Sequence, residues 1–335
     1  MKTLEFAKKI LEMPSPSGYT KNIIDYLSNE CKLRNLNYSI SSKGNLIIDL
    51  PGQNNHTIGL CAHVDTLGAM IKSINSDGTL KFTVIGGPLL PTYDGEYCYI
   101  ITRDNKTFTG TFPANSPSLH VYRNARTLER NEENMHIRLD EKIKNKEDVK
   151  NLGIAPGDFV SVETKTVITE NGFIKSRFLD DKISVAILFS VIDEIQTKNI
   201  QLKNHVKIII TAYEEVGHGA SHIPEVNELI AVDMGCVGSD LSCTEYDVSI
   251  CAKDSSGPYD LDITNNLIKT AKELKLNYAL DIYPYYGSDV SAALRSGNNI
   301  KGGLIGPGVS ASHGMERTHL DAVNNTIQLI IAYLS

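Results

Sequence analysis

The chain has 335 residues, enough to bury a substantial core and, by size, to form one large domain with a smaller one. Its composition is that of an ordinary globular protein, which sets aside disordered and collagen-like classes, and its net charge of −7 argues against a nucleic-acid partner. The apolar runs fall far short of the ~20 residues a membrane span needs, so no membrane partner is expected.

In chain order, Leu4, Ala7, Ile10 and Leu11 recur at helical spacing, which predicts a helix over 3–13 with Thr3 as its cap. Glu5, Lys8 and Lys9 break any secretory apolar segment there, so a cytoplasmic protein is expected. A turn at PSPSGY (14–19) precedes a second helix over about 20–34. Residues 46–50 read as a strand closed by Pro51-Gly52, and 58–62 as a buried strand running into His63, Val64 and Asp65. Residues two apart on a strand share a face, so Asp65 is placed to accept the second imidazole N–H of His63.

From 70 to 168 the pattern changes to short alternating strands (80–85, 97–102, 107–112, 159–163) separated by turn residues, the mark of a small antiparallel unit. Within the charged stretch 123–151, Asn145 predicts a cap for a short helix ending at Gly153. The region 68–168 is therefore expected to be an inserted β-rich domain, with 1–67 and 169–335 forming one discontinuous domain. Helical and buried-strand patterns then return. Phe178-Leu179-Asp180-Asp181 opens a helix, with Asp181 read as an N-cap. The run 207–213 is a buried strand ending at Glu214 and Glu215, and 229–232 is another ending at Asp233. Helices are expected over 259–274, 289–295 and 321–334, with 279–284 strand-like. A strand at 300–305 feeds a glycine loop, Gly306–Gly308, that delivers His313. Tyr283, Tyr285 and Tyr286 are read as packing the rim of the core. Six cysteines without a C-x-x-C pair read as free, mostly buried thiols.

Two glutamates after a strand are, taken alone, an ordinary solvated loop. Their companions change the reading. His63, Glu214, Glu215 and Asp233 all follow buried strands, Asp180 opens a helix, and His313 follows the glycine loop, so an α/β sheet would gather them at one edge. Like charges so close require cations between them, and no Lys or Arg stands among them. Mixed imidazole and carboxylate donors suit zinc, with cobalt or manganese as substitutes. The six groups fit two ions, with one bridging carboxylate and one Glu left as general base for a shared water. H-E-x-x-H, G-x-S-x-G, a Walker loop and a dinucleotide fingerprint are all absent.

AHVDTLG (62–68), LDDKIS (179–184), YEEVGHGA (213–220), AVDMG (231–235) and SHGMERTH (312–319) together resemble the tetrahedral-type dinuclear zinc aminopeptidases, metallopeptidase family 42, which includes glutamyl, leucyl and lysyl aminopeptidases. PSGYT, PGDFV and GSDV (287–290) match further places in that pattern, so the resemblance spans nearly the whole chain. It implies a three-layer α/β/α catalytic domain interrupted by a small β-barrel used in oligomer contacts. It also implies Asp180 as bridging ligand, His63 and Asp233 on one metal, and Glu215 and His313 on the other. Glu214 becomes the general base, Asp65 the partner of His63, and Asp289 a supporting residue. Assembly of dimers into dodecamers around an enclosed chamber follows from the same resemblance.

The chain departs from the pattern at Thr66-Leu67-Gly68, at His313-Gly314-Met315-Glu316, where Ser-Pro usually follows the His, and at Arg317-Thr318-His319. His319 competes for the ligand role, and His313 is preferred because it follows the glycine loop. The ending resembles a divergent branch linked to small-peptide or osmolyte-peptide metabolism. The expected activity is a dimetal aminopeptidase that removes N-terminal residues from short peptides through a metal-bridged hydroxide. A related amidohydrolase acting on N-acylated amino acids or a modified dipeptide, and an inactive paralogue serving as a scaffold or peptide-binding module, are the alternatives.

Overall fold

The computed structural model describes residues 2–335. They form two compact units: the described residues up to Asp65 with Lys165–Ser335, and Thr66–Thr164. The larger unit is built on a ten-stranded mixed sheet. Four strands run parallel at its centre, in the order Asn204–Thr211, Asn54–His63, Glu228–Val232 and Lys301–Val309. Leu46–Leu50 and then Asn37–Ile40 extend it antiparallel on one side, and Val248–Asp254 on the other.

The unbroken apolar run KIIIT is explained by burial on both faces. Ile208 and Ile210 join a core shared with the helices Lys2–Leu11, Lys21–Leu33, Leu179–Lys198, Leu261–Glu273 and Leu320–Leu334. Ile209 faces a second core with Cys61, Leu229, Ala231, Leu304 and the helix Asp289–Arg295, which contributes Val290 and Ala293. Three layers result. The helix Leu179–Lys198 is apolar nearly all round because it lies under the sheet and packs against Lys2–Leu11 and Leu320–Leu334.

The smaller unit is a six-stranded antiparallel sheet in the order Leu80–Ile85, Gly68–Ile74, Phe159–Val162, Tyr97–Ile101, Thr107–Thr111, Arg138–Leu139. A bridge between Leu80 and Ile137 joins its two end strands, closing a small barrel. Phe82 and Phe112 meet edge to face inside it, with ring centroids 5.0 Å apart. Asn145 and Asp148 form the capping box of the helix Lys146–Leu152, and Gly153 ends it in the left-handed region.

Three local expectations change. Thr3 lies within the first helix rather than capping it, and its hydroxyl accepts from Ser190 at 2.8 Å. Asp181 lies at a kink where it and Asp180 leave helical dihedrals, just before the regular helix, but its fully buried carboxylate turns to the His63 amide of a neighbouring strand. Gly306–Gly308 is not a loop, because the strand Lys301–Val309 runs through it. A Cβ at Gly306 would collide with the Asp233 carbonyl, and one at Gly308 with the Thr244 carbonyl. The glycines are there for close backbone approach, not for a turn. Gly306→Ala should therefore lower the urea unfolding midpoint by the equivalent of ~1–3 kcal/mol, the usual cost of overpacking. Gly238→Ala is the control, since its Cβ would meet only Leu241 at 3.9 Å.

Candidate active site

Parallel register creates the site. Thr211 pairs with His63, and Ala231 with Cys61, while the Asp233 amide donates to Ile305 O at 2.8 Å. The carboxyl ends of neighbouring strands thus deliver His63, Glu214, Glu215 and Asp233 to one edge, where open α/β sheets place their ligands. Asp180, which opens the helix Leu179–Lys198, meets them there.

His63 Nε2 lies 3.2 Å from Asp180 Oδ1 and 3.8 Å from Glu214 Oε2. His313 Nε2 lies 3.6 Å from the other Asp180 oxygen, Oδ2, and 3.7 Å from Glu215 Oε2. Asp180 therefore stands between the two imidazoles with one oxygen toward each. Donor atoms of His63, Asp180 and Asp233 all fall within 4.8 Å of one another. His319 is elsewhere: it accepts from the Asp321 amide as N-cap of the last helix, and its Nε2 faces Asn171 O at 2.7 Å.

Asp65 departs from the expected geometry. His63 Nδ1 faces the Asp65 main-chain carbonyl at 2.9 Å, whereas the carboxylate is 3.6 Å away. The carboxylate instead accepts from Ser17 Oγ at 2.5 Å, the Glu214 amide at 3.0 Å and the Glu215 amide at 3.2 Å. The turn PSPSGY is thereby tied to the glutamate loop, and Ser15 Oγ binds Val64 O at 2.7 Å beside it. Asp289 holds the same loop from the far side, accepting from the Ala220 amide at 2.7 Å and from the Thr211 hydroxyl. Two acidic residues escaped the sequence reading. Asp181 accepts the His63 amide at 3.2 Å, but its place in the Asp-Asp doublet looked like a cap. Glu316 accepts the amides of Asp180 and His313, each at 3.0 Å, and only the pairing of distant strands brings it there.

The charges are out of balance. Burial, reinforced by neighbouring carboxylates, pushes Asp181, Glu214, Glu215 and Glu316 well above the usual carboxylate range, and Asp233 up to about 7. Burial works the same way on Asp180, but its His63 hydrogen bond and the charge of His313 hold it below its ordinary value. The nearby Lys182 ammonium supplies little compensation: burial pulls it down to about 7, and it donates to Met13 O. Glu215 Oε1 and Asp181 Oδ1 are buried without a hydrogen-bond partner. Unpartnered acceptors, paired imidazoles and surplus carboxylates are a donor set that fits divalent cations.

Beside this cluster a cavity of about 950 Å³ is lined by Glu214, Asp233, Leu241, Ile282, Tyr286 and His313, among others. Tyr283 and Tyr285 also line it; Tyr283 and Tyr286 pack with the core as expected, whereas Tyr285 is fully exposed and belongs to the cavity wall alone.

A family model described as M42 glutamyl aminopeptidase matches residues 44–329. The chain is 48% identical over 337 residues to YhfE of Bacillus subtilis (strain 168), a protein provisionally assigned as an aminopeptidase; the match covers 99% of this chain and 97% of that one. The crystal structure of a TET aminopeptidase from a marine sediment thaumarchaeote superimposes with a TM-score of 0.90 at 18% identity, covering 99% of this chain and 96% of that one. The Pyrococcus horikoshii TET1 peptidase, described as assembling into a tetrahedron or a large octahedral shell, gives 0.86 at 24% identity, with 99% of each chain covered.

Removing divalent ions with a chelator should lower the melting temperature, and adding them back should restore it. An ion present at 1,000 times its Kd contributes ~4 kcal/mol. Scanning calorimetry before and after chelation measures the difference.

Proposed function

The chain belongs to the M42 glutamyl aminopeptidase family, a peptidase family that works with divalent metal ions, and we propose that its site holds two of them and removes N-terminal residues from short peptides. The division of labour between Glu214 and Glu215 carries this reading. Asp65 fixes both of their amides and both side chains line the cavity, yet Glu215 turns toward His313 while Glu214 faces His63. Asp180 would bridge the ions, His63 and Asp233 would complete one set of donors, and Glu215 and His313 the other. Zinc suits such mixed imidazole and carboxylate donors, with cobalt or manganese able to substitute. When bound, the ions supply Lewis acidity to the scissile carbonyl and lower the pKa of water.

The chain's own groups do the rest. Glu214 takes the proton from the attacking water and passes it to the leaving amine. Asp65 holds the Glu214 backbone so that the carboxylate stays on the cavity side. The cavity volume accommodates a few residues rather than a folded protein. The Thr66–Thr164 unit would provide contacts between copies, with a dimer as building block and a dodecamer as the larger assembly. Six free cysteines, five of them buried, fit a reducing cytoplasm.

Glu214→Gln should leave metal content unchanged and lower kcat by ~10²–10⁴-fold, the usual contribution of a general base. Near-wild-type turnover on aminoacyl anilides would sink the assignment. The same assay with N-acetylated peptides should show no cleavage, because the proposed activity acts on a free amino terminus. Light scattering should return a mass above that of the 36.8 kDa monomer.

A further inference from the structure

We propose that Glu316 is a positioning residue that holds Asp180 and His313 in place as ligands by gripping both of their backbones with one carboxylate. This rests on the reading that Asp180 and His313 bind metal. Residue 316 opens the strand Glu316–His319, which pairs antiparallel with Phe173–Ser176, putting Glu316 opposite Ser176. Ser176 is four residues before Asp180, so the register brings the Glu316 side chain to the start of the long helix. There Oε2 accepts the Asp180 amide at 3.0 Å, and Oε1 accepts the His313 amide at 3.0 Å.

Glu316 is 2% exposed, and both of its oxygens are committed to these amides. The hairpin that carries His313 needs such a clamp. Ala311 and His313 both adopt left-handed backbone, at φ 59° and 65°, a region costly for residues with a side chain. Ser310 and Arg317 close the base of the hairpin with two backbone hydrogen bonds, and Arg177 donates to Gly314 O at 3.3 Å. Of these contacts, the Glu316 carboxylate joins the hairpin directly to the Asp180 backbone.

Glu316→Gln keeps the shape but can offer an acceptor to only one of the two amides, turning an NH2 toward the other. Zinc titration of chelator-stripped protein, followed by calorimetry, should show the ion bound by Glu215 and His313, which loses the hold on His313 as well as on Asp180, weakened by ~10–100-fold, the usual effect of losing a group that orients a ligand, and the ion bound by His63 and Asp233 weakened less. Glu316→Asp, which retains two acceptors on a shorter arm, should fall between. The stripped Gln variant should melt somewhat below stripped wild type, since one buried amide loses its acceptor; the difference between the two sites, and not this shift, tests the proposal. Wild-type affinity at both sites in Glu316→Gln overturns the proposal. Equal weakening of both sites also overturns it, since that is general destabilisation. Stripped wild type that takes up no zinc refutes the metal reading itself, a different failure from a wild type that binds two ions and a Gln variant that does the same.

Discussion

The carboxylate of Asp65 is the point through which separate parts of the larger unit are held in register. It has no exposed surface and accepts from the N-terminal turn through Ser17 and from the amides of both glutamates. Hydrogen bonds to a buried carboxylate are charge-assisted and stronger than neutral ones. Once the strand ending at His63 is paired with Asn204–Thr211, this anchor leaves the glutamate loop little freedom. Two adjacent side chains can then face different partners without the loop being rigid in itself.

A second constraint acts on the same edge. Buried carboxylates repel, and here burial raises most of them while Asp180 alone stays low because two imidazoles flank it. The protein spends backbone amides on this problem: His63, Asp180, Glu214, Glu215, Ala220 and His313 each donate to an acidic side chain. The oxygens left over are those a cation can take. Structural order and metal affinity are in this way two uses of one set of acids.

Much of this was legible in the sequence, and the omissions have physical causes. Strand ends followed at once by His or acidic residues, as at His63 and Asp233, announce themselves because apolar runs and their abrupt ends are local features. The capping box at Asn145 is equally local. Glu316 and Ser17 were silent because their partners are 136 and 48 residues away, and only sheet register and tertiary packing join them. Asp181 was misread because an acid before a helix has a common local use. The glycines at 306 and 308 were taken for a loop since nothing nearby in sequence reveals that a carbonyl from another segment passes where a side chain would be.

The wide separation of these segments has a consequence for synthesis. Asp65 needs the loop at 214–215, and Asp180 needs His313 and Glu316, so the assembled edge draws on residues from 17 to 316. A chain still on the ribosome has His63 and Asp180 long before His313 emerges. On the proposed assignment, a nascent chain is chemically incomplete, and hydrolytic power arrives only as the final hairpin closes.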